Sequence, residues 1–313
     1  MRIVIVGGAG FIGSNLCAHF IAGGHSVVCF DNFATGSSEN VEELMGHDRF
    51  ELVELDVKSG LPDIGCDIVF NLACPASPIH YQRDPIDTLL TNVVGARNVL
   101  EFARAADATV VHASTSEVYG DPLVHPQPEG YWGNVSSIGP RACYDEGKRA
   151  AETLCFDYRR VHGVDVKVAR IFNTYGPHMA IDDGRVIGNF IVQALRGEPL
   201  TVYGTGGQTR SFCYIDDLVE ALDLLARSPR DVSGPVNLGA PSEITVLELT
   251  ERVRSLTGAD VPVRFEPLPV DDPTRRKPDI RLARSLLGWQ PHTSLDDGIR
   301  QTMAFFAERV GRK

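Results

Sequence analysis

The chain has no apolar run long enough to cross a bilayer, no Cys-x-x-Cys spacing and no excess of positive charge. Each absence removes a class of function. Among 313 residues, 30 Lys and Arg face 41 Asp and Glu. A net charge of −11 argues against non-specific binding to nucleic acid or to an anionic membrane, while leaving room for a local basic pocket that holds a phosphate. Lysine is scarce, at 58, 148, 167, 277 and 313 only, whereas arginine is abundant; that bias carries no functional reading. The seven cysteines (17, 29, 66, 74, 143, 155 and 213) are odd in number and fall mostly in apolar segments. They read as reduced core thiols of a cytoplasmic protein, not as a disulfide framework. The opening run is too short for a signal peptide's apolar region and ends in glycines. What is present, 43% apolar and 23% charged residues, is the composition of a globular protein long enough for two lobes.

Residues 3–6 form an apolar, β-branched run, read as a buried parallel strand. It feeds Gly7-Gly8-Ala9-Gly10-Phe11-Ile12-Gly13, and residues 14–21 continue as an apolar-periodic helix. Glycines 7, 10 and 13 are spaced to turn tightly, to admit a pyrophosphate and to pack the helix on the strand. The helix N-terminus then offers free amides to phosphates. A second strand at 26–30 ends in Asp31-Asn32. At this distance from the glycines a carboxylate accepts from both ribose hydroxyls of NAD and repels the 2′-phosphate of NADP. Asp31 alone reads equally well as the start of a turn; the order strand, glycines, helix, strand, acid is what points to NAD.

Further strands are read at 50–55, 68–72, 109–113 and 164–171, the later ones separated by helices at 86–106 and 144–162. This alternation predicts an α/β fold, a Rossmann-type doubly wound parallel sheet with ligands at the carboxyl ends of its strands. Residues 121–142 are rich in proline and glycine, lack periodicity and carry Tyr131-Trp132, which suggests a lid or pocket wall. Beyond 171 come a helix at 186–196, strands at 200–203 and 210–215, a helix at 216–226 and a strand at 236–239. Thr245-Val246-Leu247-Glu248 is a capping box that opens a helix to 257. A Pro-rich stretch at 262–278 precedes two short helices, from 279 and from 294. The expected division is a cofactor domain of 1–171 with a return of about 212–238, and a smaller C-terminal substrate-binding lobe of 172–211 and 239–313.

In the helix at 144–162, Tyr144 and Lys148 lie one turn apart on one face. Pro140 suits its entry, Asp145 and Glu146 suit the dipole of its first turn, and Gly163 closes it. A phenol ionises near pH 10, so use as a base at neutral pH takes a shift of about three units, roughly 4 kcal/mol. A neighbouring ammonium can supply much of that. Tyr-x-x-x-Lys also arises by chance on an ordinary amphipathic helix, and the spacing alone leaves both readings open.

Longer stretches carry a resemblance: Pro75-Ala76-Ser77-Pro78 with Tyr81, Thr115-Ser116-Glu117-Val118-Tyr119-Gly120, residues 138–148, Gln208-Thr209-Arg210 and Arg275-Arg276-Lys277-Pro278-Asp279-Ile280. Over nearly its whole length the chain resembles the extended short-chain dehydrogenase/reductases that act on nucleotide sugars, and within them the UDP-glucuronate decarboxylases (UDP-xylose synthases). Thr115-Ser116-Glu117 discriminates, because related 4,6-dehydratases carry Asp-Glu after the Thr and 4-epimerases lack the Glu. The resemblance implies NAD, a UDP-sugar substrate, no metal, and a homodimer built through a four-helix bundle of 86–106 and 144–162.

It implies that Tyr144 takes the sugar O4 proton as hydride leaves C4, that Thr115 hydrogen-bonds the same oxygen, and that Lys148 holds the ribose and lowers the phenol's pKa. Oxidation at C4 makes the sugar a β-keto acid that loses carbon dioxide; Ser116, Glu117 and Arg276 handle the carboxylate and protonation at C5, and the resulting 4-keto pentose is reduced by the same NADH. Read without the resemblance, Arg276 is one charge in a solvated Arg-Arg-Lys run. Implied cofactor contacts are Gly7, Gly10, Phe11, Ile12, Gly13, Asp31, Asn32, Thr35, Gly36, Asp56, Val57, Leu72, Ala73, Thr91, Tyr144 and Lys148. Implied substrate contacts are Pro75, Tyr81, Glu117, Asn173, Arg185, Asn189, Tyr203, Gln208, Arg210 and Arg276, an Arg suiting the diphosphate and an aromatic the uracil. Asn71 replaces the His common in this group, and Leu90 stands where some relatives carry Lys, which would alter the grip on substrate. The alternatives are a nucleotide-sugar 4-epimerase or 4,6-dehydratase, and an inactive NAD-sensing binding protein, which Thr115, Tyr144 and Lys148 disfavour.

Overall fold

A strand buried on both faces must be apolar on both, and the first strand of the chain is built that way. In the computed structural model, which describes residues 1–268 and 275–310, Ile3 and Ile5 of β1 (Arg2–Val6) enter one hydrophobic cluster while Val4 and Val6 enter another. β1 is an interior strand of a seven-stranded, all-parallel sheet with β2 (Ser26–Asp31), β3 (Phe50–Glu54), β4 (Ile68–Asn71), β5 (Thr109–Thr115), β6 (Val166–Ile171) and the strand Val236–Leu238. The order is β3-β2-β1-β4-β5-β6 and then Val236–Leu238. It reverses between β1 and β4, and a crevice opens at the carboxyl ends there.

One sheet face is covered by α1 (Phe11–Ala22) and the helix Ile215–Ala226, through Leu16, Phe20, Leu218 and Leu222. After the short helices α2 (Pro78–Tyr81) and α3 (Pro85–Leu90), the other face is covered by α4 (Ala96–Ala106) and α5 (Ala142–His162), through Val99, Leu100, Ala103 and Cys155. A π-helical turn, Thr91–Gly95, joins α3 to α4, so the helix expected at 86–106 carries an internal bulge. The α5 helix ends as expected at Gly163, whose φ of 67° is left-handed and whose N–H returns to Arg159 O. Among the described residues no helix is long and apolar enough to cross a membrane.

The remaining chain packs the helices Val186–Arg196, Val246–Thr257 and Leu295–Val310 together beside small sheets. The capping box forms as read, with Thr245 and Glu248 exchanging hydrogen bonds. Three expectations fail here. The strand at 210–215 is two strands in different sheets, Thr209–Ser211 and Cys213–Tyr214, parted by Phe212. The Pro-rich stretch at 262–278 contains Val263–Glu266, paired with Leu200–Tyr203, and Arg275–Arg276, paired with Thr209–Ser211. The final helix is not short but 16 residues long, and it buries Ile299, Thr302 and Phe306. Strands of two to four residues are decided by partners far away in sequence, which local patterning does not see.

Candidate active site

A cavity of ≈ 730 Å³ lies at the carboxyl ends of β1, β4, β5 and β6 and extends to the C-terminal lobe. Its first wall is local. Gly7 has a φ of 81°, and a Cβ there would meet Ala73 N at 2.9 Å. A Cβ on Gly13 would sit 2.2 Å from Gly7 O, so α1 rests directly on the turn. No side chain caps the α1 N-terminus at Gly10, which leaves its first amides facing this space. Asp31 is buried at the end of β2, and its carboxylate accepts from Ala9 N at 2.9 Å and Phe33 N at 2.8 Å. Burial raises its pKa, against the pull of those backbone amides. Asp31 is therefore both the turn former and the acid on the wall. Phe11, Ile12, Asn32, Thr35, Gly36, Val57, Leu72, Ala73 and Thr91 complete this side. A Cβ-free turn, uncapped amides and a buried acid fit a dinucleotide. Asp56 does not border the cavity: it caps the turn Val57–Ser59 and pairs with Lys58 at 3.0 Å.

The second wall carries the tyrosine. Tyr144 is 5% exposed, and its ring stacks on Tyr81 at 5.0 Å between centroids and 5° between planes. The Lys148 Nζ lies 5.8 Å from that ring's centroid and donates to Ala113 O at 2.9 Å. Burial drives the Tyr144 phenol above its ordinary range, with Cys74 adding to the rise and a hydrogen bond from Thr115 opposing it. Burial lowers Lys148. The lowered phenol expected from Lys148 is thus not found in the protein alone, where loss of water is the largest influence on the phenol.

Thr115 ends β5, two residues beyond the expected strand, and its hydroxyl accepts from Glu117 N at 3.2 Å. That turn aims Glu117 at two guanidiniums. Arg141 Nη2 donates to Glu117 Oε2 at 2.6 Å, and Arg276 Nη1 donates to Oε1 at 2.7 Å. Arg276 also donates to Ser116 Oγ at 2.9 Å and Gly120 O at 3.1 Å. Arg276 is 2% exposed, which overturns its reading as a solvated charge. Burial opposes the Glu117 anion, but Arg276 and then Arg141 outweigh it and hold the carboxyl down at about 2.

The Arg276 strand is fastened by the loop at 121–142, expected to be a lid or pocket wall, whose Arg141 does border the cavity. Gln127 is fully buried; its N–H donates to Lys277 O at 2.9 Å, and its Oε1 accepts from Lys277 N at 2.9 Å. Tyr131 and Trp132 do not border the cavity. Tyr131 stacks on Tyr119 at 6.0 Å, and Trp132 is 89% exposed, because the loop turns its aromatics away from the strand ends. Leu90 is exposed and does not border the cavity. Asn71 is buried against His112, at 3.2 Å.

Pro75, Tyr81, Asn173, Arg185, Asn189, Tyr203, Gln208 and Arg210 all border the cavity. Arg185 pairs with Asp183 and lies over the Phe11 ring, and Tyr203 is 43% exposed, not a core residue. Asn189 donates to Gly184 O at 3.0 Å and Gln208 to Tyr203 O at 2.8 Å. No signal in the sequence pointed to a role in this site for Cys74, Arg141, Asp145 or Asp183. Arg141 was visible three residues before the tyrosine, but nothing in the spacing announced its partner at 117.

A dinucleotide cradle at a strand-order reversal, facing a buried Tyr–Lys pair, defines an enzyme of the extended short-chain dehydrogenase/reductase class. The chain belongs to the NAD dependent epimerase/dehydratase family, whose model matches residues 3–239. It is 52% identical to UDP-glucuronic acid decarboxylase 6 of Arabidopsis thaliana, covering 99% of this chain and 90% of that one. It is also 52% identical to UDP-glucuronic acid decarboxylase 1 of Danio rerio, over 99% and 73% of the two chains. Among solved structures, a UDP-glucuronic acid 4-epimerase from Bacillus cereus, in complex with UDP-glucuronic acid and NAD, superposes with a TM-score of 0.88 at 27% identity, over 99% and 100% of the chains.

Proposed function

We propose that the chain catalyses the NAD-dependent decarboxylation of UDP-glucuronic acid, through a UDP-4-keto-hexuronic acid, to UDP-4-keto-pentose and UDP-xylose, with NAD regenerated. The observation that carries this reading is Glu117 clamped between Arg141 and Arg276 beside the Tyr144–Thr115 pair. A site that oxidises C4 and also holds guanidiniums for a carboxylate suits a hexuronic acid better than a neutral hexose. Identity of 52% to UDP-glucuronic acid decarboxylases over 99% of the chain supports it.

When bound, NAD would supply the hydride acceptor for oxidation at C4 and, once reduced, the hydride donor for the 4-ketone. Tyr144 takes the O4 proton and gives it back, with Thr115 holding that oxygen and Lys148 the ribose. The Gly7–Gly13 turn and the α1 amides take the pyrophosphate, and Asp31 the adenosine ribose. Ser116 and Arg276 hold the sugar carboxylate, and Glu117 handles the proton at C5. Arg185 and Arg210 take the diphosphate, and Tyr203 the uracil. In this division 1–171 with about 212–238 is the cofactor domain, and the rest is the sugar-nucleotide lobe.

The enzyme acts as a cytoplasmic homodimer. The seven unpaired thiols suit a reducing compartment. Ile86, Leu89 and Leu90 on α3 and Val161 on α5 are exposed apolar residues suited to an intersubunit bundle. The deciding experiment incubates the chain with UDP-glucuronic acid and NAD and identifies the sugar nucleotide by mass. Loss of carbon dioxide to give a pentose supports the reading; an epimerised hexuronic acid of unchanged mass sinks it in favour of a 4-epimerase.

A further inference from the structure

Decarboxylation has a proton balance, and this inference rests on the function proposed above. When the β-keto acid loses carbon dioxide, the C5–carboxyl bond breaks and its electron pair moves toward the C4 ketone, giving an enolate. The new C5–H bond needs a proton from outside the substrate. The proton that Tyr144 takes from O4 is committed to that oxygen, since it returns when the ketone is reduced. Each turnover therefore draws one further proton into a buried site. Glu117 is badly placed to hold it in reserve, because Arg276 and Arg141 keep it ionised.

Asp145, an acid with no task in the chemistry so far, lies within electrostatic reach of Glu117, Arg141 and Arg276. It follows Tyr144 on α5, is 7% exposed, and its N–H donates to Arg141 O at 3.0 Å. Among the described residues its Oδ1, shut off from solvent, has no hydrogen-bond partner. The charges acting on it come from every side. Glu117 reaches it from the turn after β5, Arg141 from the α5 entry, Arg276 from its strand, and Glu146 from the next position on α5. The Tyr81 phenol of α2, in turn, feels the Asp145 charge. Burial and then the Glu117 carboxylate push Asp145 up to about 7, with Arg141 and Arg276 opposing. It is neutral below that pH and ionised above it.

We propose that Asp145 stores the proton for C5: its carboxyl passes the proton to Glu117 once a substrate carboxylate shares Arg276, Glu117 delivers it to C5, and Asp145 reloads from solvent. Arg276 is the main charge keeping Glu117 ionised. A second carboxylate on that guanidinium weakens its hold and adds a like charge, and both effects raise the proton affinity of Glu117. Proton delivery is thereby tied to the arrival of the group that is to leave. Asp145 does not border the cavity, so it acts through Glu117 as a positioning residue.

The test follows NADH formation and pentose formation by the NAD-loaded chain with UDP-glucuronic acid, between about pH 5.5 and about pH 8.5. The unmutated enzyme should lose pentose formation as pH rises through Asp145's titration. Asp145→Asn should lower pentose formation at least about tenfold at the acid end, remove that alkaline decline, and slow the first NADH formation far less. Asp145→Glu should keep an alkaline decline at a rate above the Asn variant; if the Asn variant melts early, this variant decides, and absence of the decline from it overturns the proposal. An Asn variant with the unmutated rate and pH profile overturns it, as does equal loss of both steps. If the unmutated chain releases no carbon dioxide, the functional reading fails and the proton store falls with it. Normal release with an indifferent Asn variant overturns the proton store alone.

Discussion

The two walls of the cavity are built by opposite means. The cofactor wall is nearly contiguous: Gly7, Gly10, Gly13 and Asp31 lie on one strand–turn–helix–strand unit, and its geometry is set by backbone and by missing side chains. The carboxylate wall brings Glu117 to Arg276 across 159 residues, and Arg141 to the same carboxylate across 24. Its geometry is set by charge and by distant pairing. The first wall tolerates no added atom, whereas the second tolerates no lost charge. A Cβ at Gly13 collides with Gly7 O, while removing Glu117 takes the carboxylate partner from both Arg141 and Arg276.

The largest effect should come where the walls meet. Tyr144→Phe removes the phenol and keeps the stacking on Tyr81. Single-turnover NADH absorbance and carbon dioxide release should both fall by about 10³-fold or more, the upper part of the range for a general base. NADH formation within tenfold of the unmutated rate would separate the tyrosine from the chemistry and break the comparison at its hinge.

The carboxylate wall should answer less strongly and at a later step. Glu117→Gln and Arg276→Ala should lower carbon dioxide release about 10²-fold while slowing the first NADH formation by less than about tenfold, because neither group is assigned to O4. Decarboxylation at the unmutated rate in both variants would leave the ketone alone to carry that step. Stability should move as well. The Glu117 carboxyl is held at about 2 in the fold, below its ordinary range, so its contribution is full above the unfolded value and fades as pH falls toward the folded one. The melting-temperature gap between the unmutated chain and Glu117→Gln should therefore shrink as pH drops from about 5 to about 2. A gap independent of pH would mean that the ion pairs do not stabilise the fold.

The same contrast explains what the sequence could reveal. The six leading strands and their helices follow from apolar runs and period, and the capping box at Thr245 from four letters. The glycine turn and Asp31 were readable because spacing along the chain equals spacing in the site. Arg276 was not readable by itself: an Arg-Arg-Lys run looks solvated, and burial at 2% depends on a two-residue strand and on Gln127 from a distant loop. Tyr131 and Trp132 misled for the same reason, since which way an irregular loop faces depends on what it packs against. The downward pull of Lys148 on Tyr144 was judged from the neighbouring charge alone, whereas burial, invisible in the sequence, is the largest influence and raises the phenol.

The smallest and most informative effect concerns Asp31, where the contiguous wall also uses a charge. Its carboxylate pins Ala9 and Phe33, and in the proposed role it also repels a 2′-phosphate. The two roles separate by substitution. Asp31→Ala loses the charge and both backbone bonds, so NAD affinity should fall while preference over NADP drops roughly tenfold or more, as befits a charged hydrogen-bonded group. Asp31→Asn loses the charge but keeps one carbonyl for an amide, so NADP should gain with a smaller loss of NAD. Titration of each variant with both dinucleotides by calorimetry reads this directly. Equal or tighter NADP binding by the unmutated chain would remove the discriminating role and leave Asp31 as a turn former. Equal losses of NAD in Ala and Asn would mean that the charge, not the pinning of Ala9, shapes this wall, making it more like the carboxylate wall opposite than its contiguity suggests.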